Sequence, residues 1–316
     1  MSATLIFLLI LFAALCHAGW STIVKHHHSF SIMGMTCLVE IIVFLLILFA
    51  ALCHAGWSTI VKHHKSFSIM GMTCIVEIIV FTPLVFFVPF PPLEIWYFII
   101  ASVILHGFYR LSVIYSYKFG DLSFVYPIAR GGSSLLIAIF TLIILQEHIS
   151  SIGFVGILTV CTGILLISYS KNYKFNFNAF ILAASTALLI AFYTIIDGMG
   201  VRLSENKFSF IYWLLLLNGI PLLILSIFSK EKLLSNLNAK IIVWGIPAGI
   251  LAILSYGIVV WSMQHLEIAY VSSIRETSIV IATLLGFFIL QEKEAKNRIV
   301  PSALVVVGIS IVYFQL

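Results

Sequence analysis

The chain has 316 residues, of which 62% are hydrophobic and only 9% are charged. A soluble domain has about 25% charged residues, because a large part of its water-facing surface is ionic. The composition therefore excludes a soluble globular protein, a disordered chain and a nucleic-acid-binding protein built on a basic patch. It indicates a polytopic membrane protein, in which the net charge of +5 bears on membrane orientation rather than on partners.

The N-terminal part of the chain is a tandem duplication. Residues 8–44 and 45–81 are two copies of one 37-residue segment that differ at only two positions. Repeat folds normally need three or more units to share a core, so two near-identical copies indicate either a recent duplication or an error of gene assembly. The second copy continues into the rest of the chain. We therefore assign residues 1–44 to an extra N-terminal segment that contributes one additional helix.

Apolar segments of the length that crosses a membrane, about 20 residues, follow one another towards the C-terminus. In the first half of the chain they are 43–61, 67–90, 94–117, 122–145 and 152–170. In the second half they are 179–201, 208–229, 242–263, 269–290 and 299–315. The extra copy adds a segment at 3–24 and leaves an apolar run from 31 to 61, which we expect to cross the membrane once. The predicted fold class is an all-α polytopic membrane protein.

An older repeat relates the two groups of spans. A shift of 145 residues aligns 93–169 with 238–314 without a gap. Because each half has an odd number of spans, the halves insert with opposite orientation, which is the inverted repeat found in many secondary transporters. We therefore predict a ten-helix inverted repeat of two five-helix halves, 45–171 and 172–316, with a cavity between them at the membrane midplane.

Six of the charged residues inside or at the edges of these spans stand out, leaving the extra copy aside. Each costs roughly 3 kcal/mol near a helix centre if it faces lipid without a partner, so each must face the protein interior, a partner or water. Intramembrane ionisable residues are for this reason candidates for function. They are Glu77, Arg110, Arg130, Asp197, Arg275 and Glu276.

Arg130 is the first candidate for a substrate-binding residue. Tyr126 and Ser133 share its helix face through their spacing of four and three residues, and its planar guanidinium suits a carboxylate or a phosphonate. The alternative is an arginine that extends to the lipid headgroups. Arg275 aligns with Arg130 in the repeat and is the second binding candidate. Its alternative is a structural arginine–glutamate pair between the halves, with Glu276 as the acid.

The carboxylates of the spans are candidates for proton coupling. Asp197 follows Tyr193 by one turn, and it either carries a proton, hydrogen-bonds in the site or is solvated at a helix end. Glu77 lies in the middle of a span, where it either carries a proton or stays neutral in a bond to a neighbouring helix. Glu276 is the third candidate. Trp57 and Tyr193 are expected in the walls of the cavity, although packing in the core is the alternative for Trp57.

The sequence contains no motif of an enzyme or a cofactor site. HExxH, G-x-S-x-G and Walker sequences are absent, and no span holds two carboxylates close together. The run His26–His28 could bind a metal, but the duplicated copy has Lys65 at its third position. We therefore predict no metal, no cofactor and no enzymatic activity.

Three segments resemble EamA-type members of the drug/metabolite transporter superfamily. They are His54–Lys62, Gly120–Gly131 and Arg275–Ser278, and two Gln-Glu pairs that close spans add to the likeness. The resemblance covers the whole chain without the first copy. It implies ten spans in two inverted halves, a central cavity, and import or export of small metabolites. Ser58 and Ser134 depart from the Asn and Pro that are frequent at these positions of the family.

Together these observations predict a secondary transporter, either a permease or an exporter, that moves a small metabolite by alternating access. Arg130 and Arg275 would hold an anionic or zwitterionic group of the substrate. We expect a multi-pass protein of a bacterial inner (plasma) membrane that does not bind nucleic acid. Protons and a second copy of the chain, in a homodimer, are open alternatives as further partners. The alternative from another class is a transport-inactive membrane scaffold or accessory protein.

Overall fold

The computed structural model describes residues 32–63, 66–119, 122–168, 177–228, 239–281 and 299–316. Within these ranges the chain is helical and contains no strand. The all-α prediction is therefore confirmed. Helices are the expected solution for apolar segments in lipid, because each helix satisfies its own backbone N–H and C=O groups.

The first half consists of α1 (Ile32–His63), α2 (Ser66–Phe81), α3 (Leu93–Phe119), α4 (Leu122–Phe140) and α5 (Ser151–Ser168). The second half consists of α6 (Phe177–Leu203), α7 (Lys207–Asn218), α8 (Ile220–Phe228), α9 (Ala239–Ser262), α10 (Ile268–Arg275) and α11 (Ile299–Tyr313). A 3-10 turn, Thr82–Leu84, follows α2, and a π-helical turn, Thr141–Leu145, extends α4.

Several helices are long and apolar enough to cross a membrane. By length and composition, six qualify in the described chain: Leu38–Val61, Leu93–Val113, Ile128–Leu145, Phe177–Leu203, Lys207–Ile224 and Ala239–Ser262. Large apolar side chains such as Ile143 and Val243 are exposed on outer faces. Broad exposed apolar surfaces of this kind mark contact with lipid or another protein. The chain is a multi-pass membrane protein.

Within the described residues, three predicted spans end early or are interrupted: 67–90 in the first half, and 208–229 and 269–290 in the second. The run from 31 to 61 forms the single helix α1, whereas the additional span predicted at 3–24 lies outside the described residues. The span predicted at 67–90 ends at Phe81. The reason is Pro83, which has no N–H group to continue the α-helical hydrogen bonds, and the chain goes on as the 3-10 turn Thr82–Leu84.

Two predicted spans of the second half contain a break. The helix over 208–229 is interrupted at Gly219, between α7 and α8. A Cβ atom at Gly219 would lie 2.9 Å from the Cβ atom of Cys74 on α2, so only glycine allows this close approach. The last span before α11 breaks at Glu276, after α10, and is helical again over 277–281. Interrupted helices of this kind form the binding sites of many secondary transporters.

The packing between the halves follows the repeat. Helix α1 packs on α9, and α6 correspondingly packs on α3; α10 contacts α1, and α4 packs on α6. Helix α5 packs on its own counterpart, α11. The repeat relates α1 to α6, α3 to α9, α4 to α10 and α5 to α11. Exchange of the two halves therefore converts each of these helix contacts into an equivalent one, as the predicted two-repeat architecture requires. Residues of α1, α2, α3, α4, α6, α7, α9 and α10 enclose the candidate site.

Candidate functional site

A cavity lies between the two halves. Its walls come from helices of both halves, including α1, α2 and α3 of the first half and α6, α9 and α10 of the second. The predicted site residues that line it are Trp57, Glu77, Arg130, Tyr193 and Arg275.

The other predicted site residues lie behind the cavity wall or outside the description. Asp197 and Glu276 are fully buried, and each contacts a residue of the lining. Ser133 is also buried, and its hydroxyl donates to the backbone carbonyl of Arg130 at 2.8 Å. The side chain of Tyr126 lies outside the described part of the chain.

Arg130 forms an ion pair that joins the two halves. Its Nε atom donates to Glu276 Oε2 at 3.0 Å, and its guanidinium lies 2.9 Å from Oε1. Ser134 on the same helix donates to Oε1 at 3.3 Å. Both partners are buried, so Arg130 does not extend to a headgroup region. The pair resembles the arginine–glutamate pair considered as the alternative for Arg275, but the arginine comes from the first half.

A second buried ion pair lies within the first half. The guanidinium of Arg110 on α3 donates to both carboxylate oxygens of Glu77 on α2, at 2.9 and 3.1 Å, and to the sulfur of Cys74 at 2.6 Å. Both charged residues line the cavity. The negative charge of Glu77 is therefore already compensated by the bidentate arginine.

Arg275 differs from the other two arginines of the cavity. Its side chain lines the cavity and is only 3% exposed, yet its Nε and Nη2 atoms have no hydrogen-bond partner among the described residues. His54, His106, Tyr193 and Tyr256 line the same cavity. Nearly all buried polar groups in proteins have a partner, and a buried guanidinium without one is unfavourable.

Two further polar atoms of the lining are unsatisfied. They are the indole Nε1 of Trp57, which is a donor, and Oδ1 of Asn218, which is an acceptor. Asn218 is the last residue of α7 before the break at Gly219. The cavity thus presents a cation, a neutral donor and a neutral acceptor that the described protein does not use.

A cluster of rings forms one wall of the cavity. The ring of His106 on α3 lies 3.9 Å from that of Tyr193 on α6 and 5.0 Å from that of Tyr256 on α9, measured between centroids. Tyr109 lies 5.4 Å from Tyr193 in an edge-to-face arrangement. Such pairs stabilise a packed wall by about 0.5–1.5 kcal/mol each beyond the area that they bury.

Only part of this wall is predictable from the sequence. His106 and Arg110 lie four residues apart and so share one helix face, and Tyr109 continues that face at a spacing of three residues from His106, which is a usable signal. Tyr256 and Asn218 were missed. No spacing indicates them, because they reach the cavity only through the rotation of α9 and the end of α7.

Asp197 is held by the same wall. The hydroxyl of Tyr256 donates to Oδ2 of Asp197, which joins α9 to α6. Unlike Glu77 and Glu276, Asp197 forms no ion pair with a described residue. Its negative charge therefore has only neutral donors beside it. In the described residues no group of three or more His, Cys, Asp or Glu side chains is placed to hold a metal ion, and the run His26–His28 lies outside them.

Comparison with known proteins gives a family and a fold. The model of the EamA-like transporter family matches the chain twice, over residues 41–169 and 177–314. A crystal structure described only as that of a protein superposes with a TM-score of 0.66 at 16% sequence identity, and the match covers 88% of this chain and 98% of the other. No curated protein matches the sequence.

Proposed function

Because the chain belongs to the EamA-like transporter family, we propose that it is a secondary transporter that carries a small organic anion by alternating access. The observation that best supports this proposal is the guanidinium of Arg275. It is buried at the cavity between the halves, and its Nε and Nη2 atoms have no hydrogen-bond partner among the described residues. The two-repeat architecture supports alternating access, because the halves can rock about a site that lies between them. A bacterial inner membrane is the proposed location, and the proposed activity is transport without chemical conversion.

Arg275 is the proposed contact to the substrate. A buried cation without a partner is unfavourable by several kcal/mol, and an anion in the cavity removes that penalty while gaining charge-assisted hydrogen bonds. Arg130 and Arg110 are less suited to this contact, because Glu276 and Glu77 already pair with them. We propose that these two pairs position the helices of the site and that Arg275 holds the ligand.

We propose Asp197 as the residue that carries a coupling proton. Of the three candidate carboxylates, Glu77 and Glu276 each form an ion pair with an arginine. Asp197 has a tyrosine hydroxyl instead, so it can alternate between the protonated and the charged form without breaking an ion pair. Its link to Tyr256, which lines the cavity, connects the protonation state of Asp197 to the binding site.

The test of the substrate contact is flux in proteoliposomes. The full chain is reconstituted and exposed to radiolabelled organic anions, amino acids and phosphonates, with and without a pH gradient. We expect uptake of at least one anion by the wild type and a loss of more than tenfold for Arg275→Gln. Arg275→Lys keeps the charge and should retain part of the activity. The control is Lys240→Gln, which removes one positive charge from an exposed position outside the cavity and should transport normally.

Flux that is equal for wild type and Arg275→Gln would exclude the proposed contact. If no compound of the panel is transported or shifts the melting temperature of the wild type, the second candidate function, a transport-inactive scaffold or accessory protein, is favoured instead.

A further inference from the structure

We infer that the preferred substrate is an aromatic monocarboxylate without a charged amine, with its carboxylate on Arg275 and its ring against the cluster of His106, Tyr109, Tyr193 and Tyr256. This inference rests on the proposed function, since it names the class of anion for the same cavity. It follows from the charges of the lining and from the chemistry of the ring wall.

The charge of the ligand follows from the charges of the lining. The ionisable side chains that the structure places there include three arginines, and two of them are neutralised by Glu77 and Glu276. One positive charge, that of Arg275, remains when Asp197 behind Tyr256 is protonated, so the complementary ligand of that state has one negative charge. The unsatisfied Nε1 of Trp57 is a second donor on the same cavity wall and offers a hydrogen bond to a carboxylate oxygen.

An ammonium group has no counterpart in this lining. Glu77 is the acidic residue among the described lining residues, and both of its oxygens accept hydrogen bonds from Arg110. A zwitterionic amino acid would therefore lose the hydration of its ammonium group without gaining an ion pair, which disfavours binding.

The cluster of aromatic rings favours an aromatic group in the part of the ligand that lies away from the carboxylate. Tyr109, Tyr193 and Tyr256 are arranged edge to face, at centroid distances of 5.4 Å for Tyr109–Tyr193 and 5.9 Å for Tyr193–Tyr256. A further aromatic ring can join such a cluster by the same geometry, whereas a saturated ring of equal size gains only the burial of its surface. Helices α3, α6 and α9 contribute these rings, so the ligand would contact both halves.

Binding of matched ligands to the purified full chain tests the inference. Phenylacetate is compared by calorimetry with cyclohexylacetate, which has a saturated ring, and with phenylalanine, which adds an ammonium group. We expect phenylacetate to bind at least fivefold more tightly than either. Arg275→Gln should weaken the binding of both carboxylates by more than tenfold.

Substitution of one tyrosine tests whether the ring cluster determines the preference for an aromatic ligand. Tyr109 lines the cavity, so Tyr109→Leu should remove most of the preference for phenylacetate over cyclohexylacetate, and Tyr109→Phe should keep it. Tyr97→Leu alters an exposed tyrosine on the same helix and should leave the preference unchanged.

The outcomes separate the inference from the function on which it rests. If cyclohexylacetate binds as well as phenylacetate, or if phenylalanine binds better, and binding still depends on Arg275, the inference is wrong and the proposed function stands. If no carboxylate binds in an Arg275-dependent way, the proposed function fails as well.

Discussion

Arg130 and Arg275 occupy equivalent positions of the repeat but have opposite roles in the site. Glu276 follows Arg275 directly and reaches across the interface to Arg130, whereas the equivalent position in the first half is Gly131. One carboxylate thus distinguishes two arginines that the repeat would otherwise leave equal, because it pairs with Arg130 and not with Arg275. The asymmetry neutralises Arg130 and leaves the charge of Arg275 for a ligand.

Removal of the Glu276 charge tests whether Glu276 stabilises the protein by pairing with Arg130. Glu276→Gln leaves Arg130 buried without its ion-pair partner, so we expect it to lower the free energy of unfolding by about 3–5 kcal/mol. The double variant Glu276→Gln/Arg130→Gln removes both charges and should recover part of that loss. Thermal unfolding of the single and double variants in detergent measures the coupling. Additive effects of the two substitutions would contradict an energetic link between these residues.

Asp197→Asn tests whether Asp197 carries the coupling proton. The amide oxygen still accepts the hydrogen bond of Tyr256, but the side chain no longer binds a proton. We expect substrate exchange across proteoliposomes without a gradient to be retained and uptake driven by a pH gradient to fall at least tenfold. Glu77→Gln is the comparison, and it should destabilise the fold through Arg110. Gradient-driven uptake by Asp197→Asn at the wild-type rate would assign the coupling elsewhere.

At the scale of helices, α5 and α11 bring the backbones of the two halves into close contact. A Cβ atom at Gly308 would lie 2.7 Å from the backbone oxygen of Gly156 and from the backbone nitrogen of Val160. Backbone atoms cannot move aside as the end of a side chain can. Small residues at helix crossings are the usual means of close packing within a membrane.

Gly308→Ala should therefore lower the melting temperature, although alanine is the better helix former. We expect a loss of about 1–3 kcal/mol from overpacking. The matched control is Gly257→Ala on α9, where the added Cβ meets only the end of the Leu215 side chain, at 3.3 Å. Thermal unfolding of the two variants measures the difference in stability. An equal effect of both substitutions would mean that the crossing of α5 and α11 tolerates a methyl group.

The sequence contains the information for the helices but only part of that for the site. Apolar length predicts where helices lie, and Pro83 explains the early end of α2. The charges within the spans predict Arg130 and Arg275 as candidates. The partner of Arg130 is not predictable in this way, because it depends on how α4 and the break at Glu276 meet across the interface. Tyr256 escapes prediction for the same reason.

At the scale of the whole molecule, the halves are also joined outside the cavity. Arg202 at the end of α6 donates to Glu147, which follows α4, at 2.7 Å, and to the backbone oxygens of Met263 and Leu266. Glu147 also accepts from the backbone N–H of Ile268 at 3.0 Å, at the start of α10. If the halves rock apart at this end of the molecule, these bonds must break, because Glu147 belongs to one half and its partners to the other.

Glu147→Gln should therefore make this end of the molecule open more often. The amide keeps the size of the side chain but loses the charge that holds Arg202, and charge-assisted bonds are roughly twice as strong as neutral ones. We expect faster amide hydrogen exchange over residues 263–275, with unchanged exchange in α5 and α11. The control is Glu267→Gln, an adjacent carboxylate that makes no cap hydrogen bond to α10, and it should exchange as the wild type does. Because both substitutions remove one negative charge at the same end of α10, an equal increase in both would assign the effect to local charge, and no increase in either would show that the link from Glu147 does not hold the halves together.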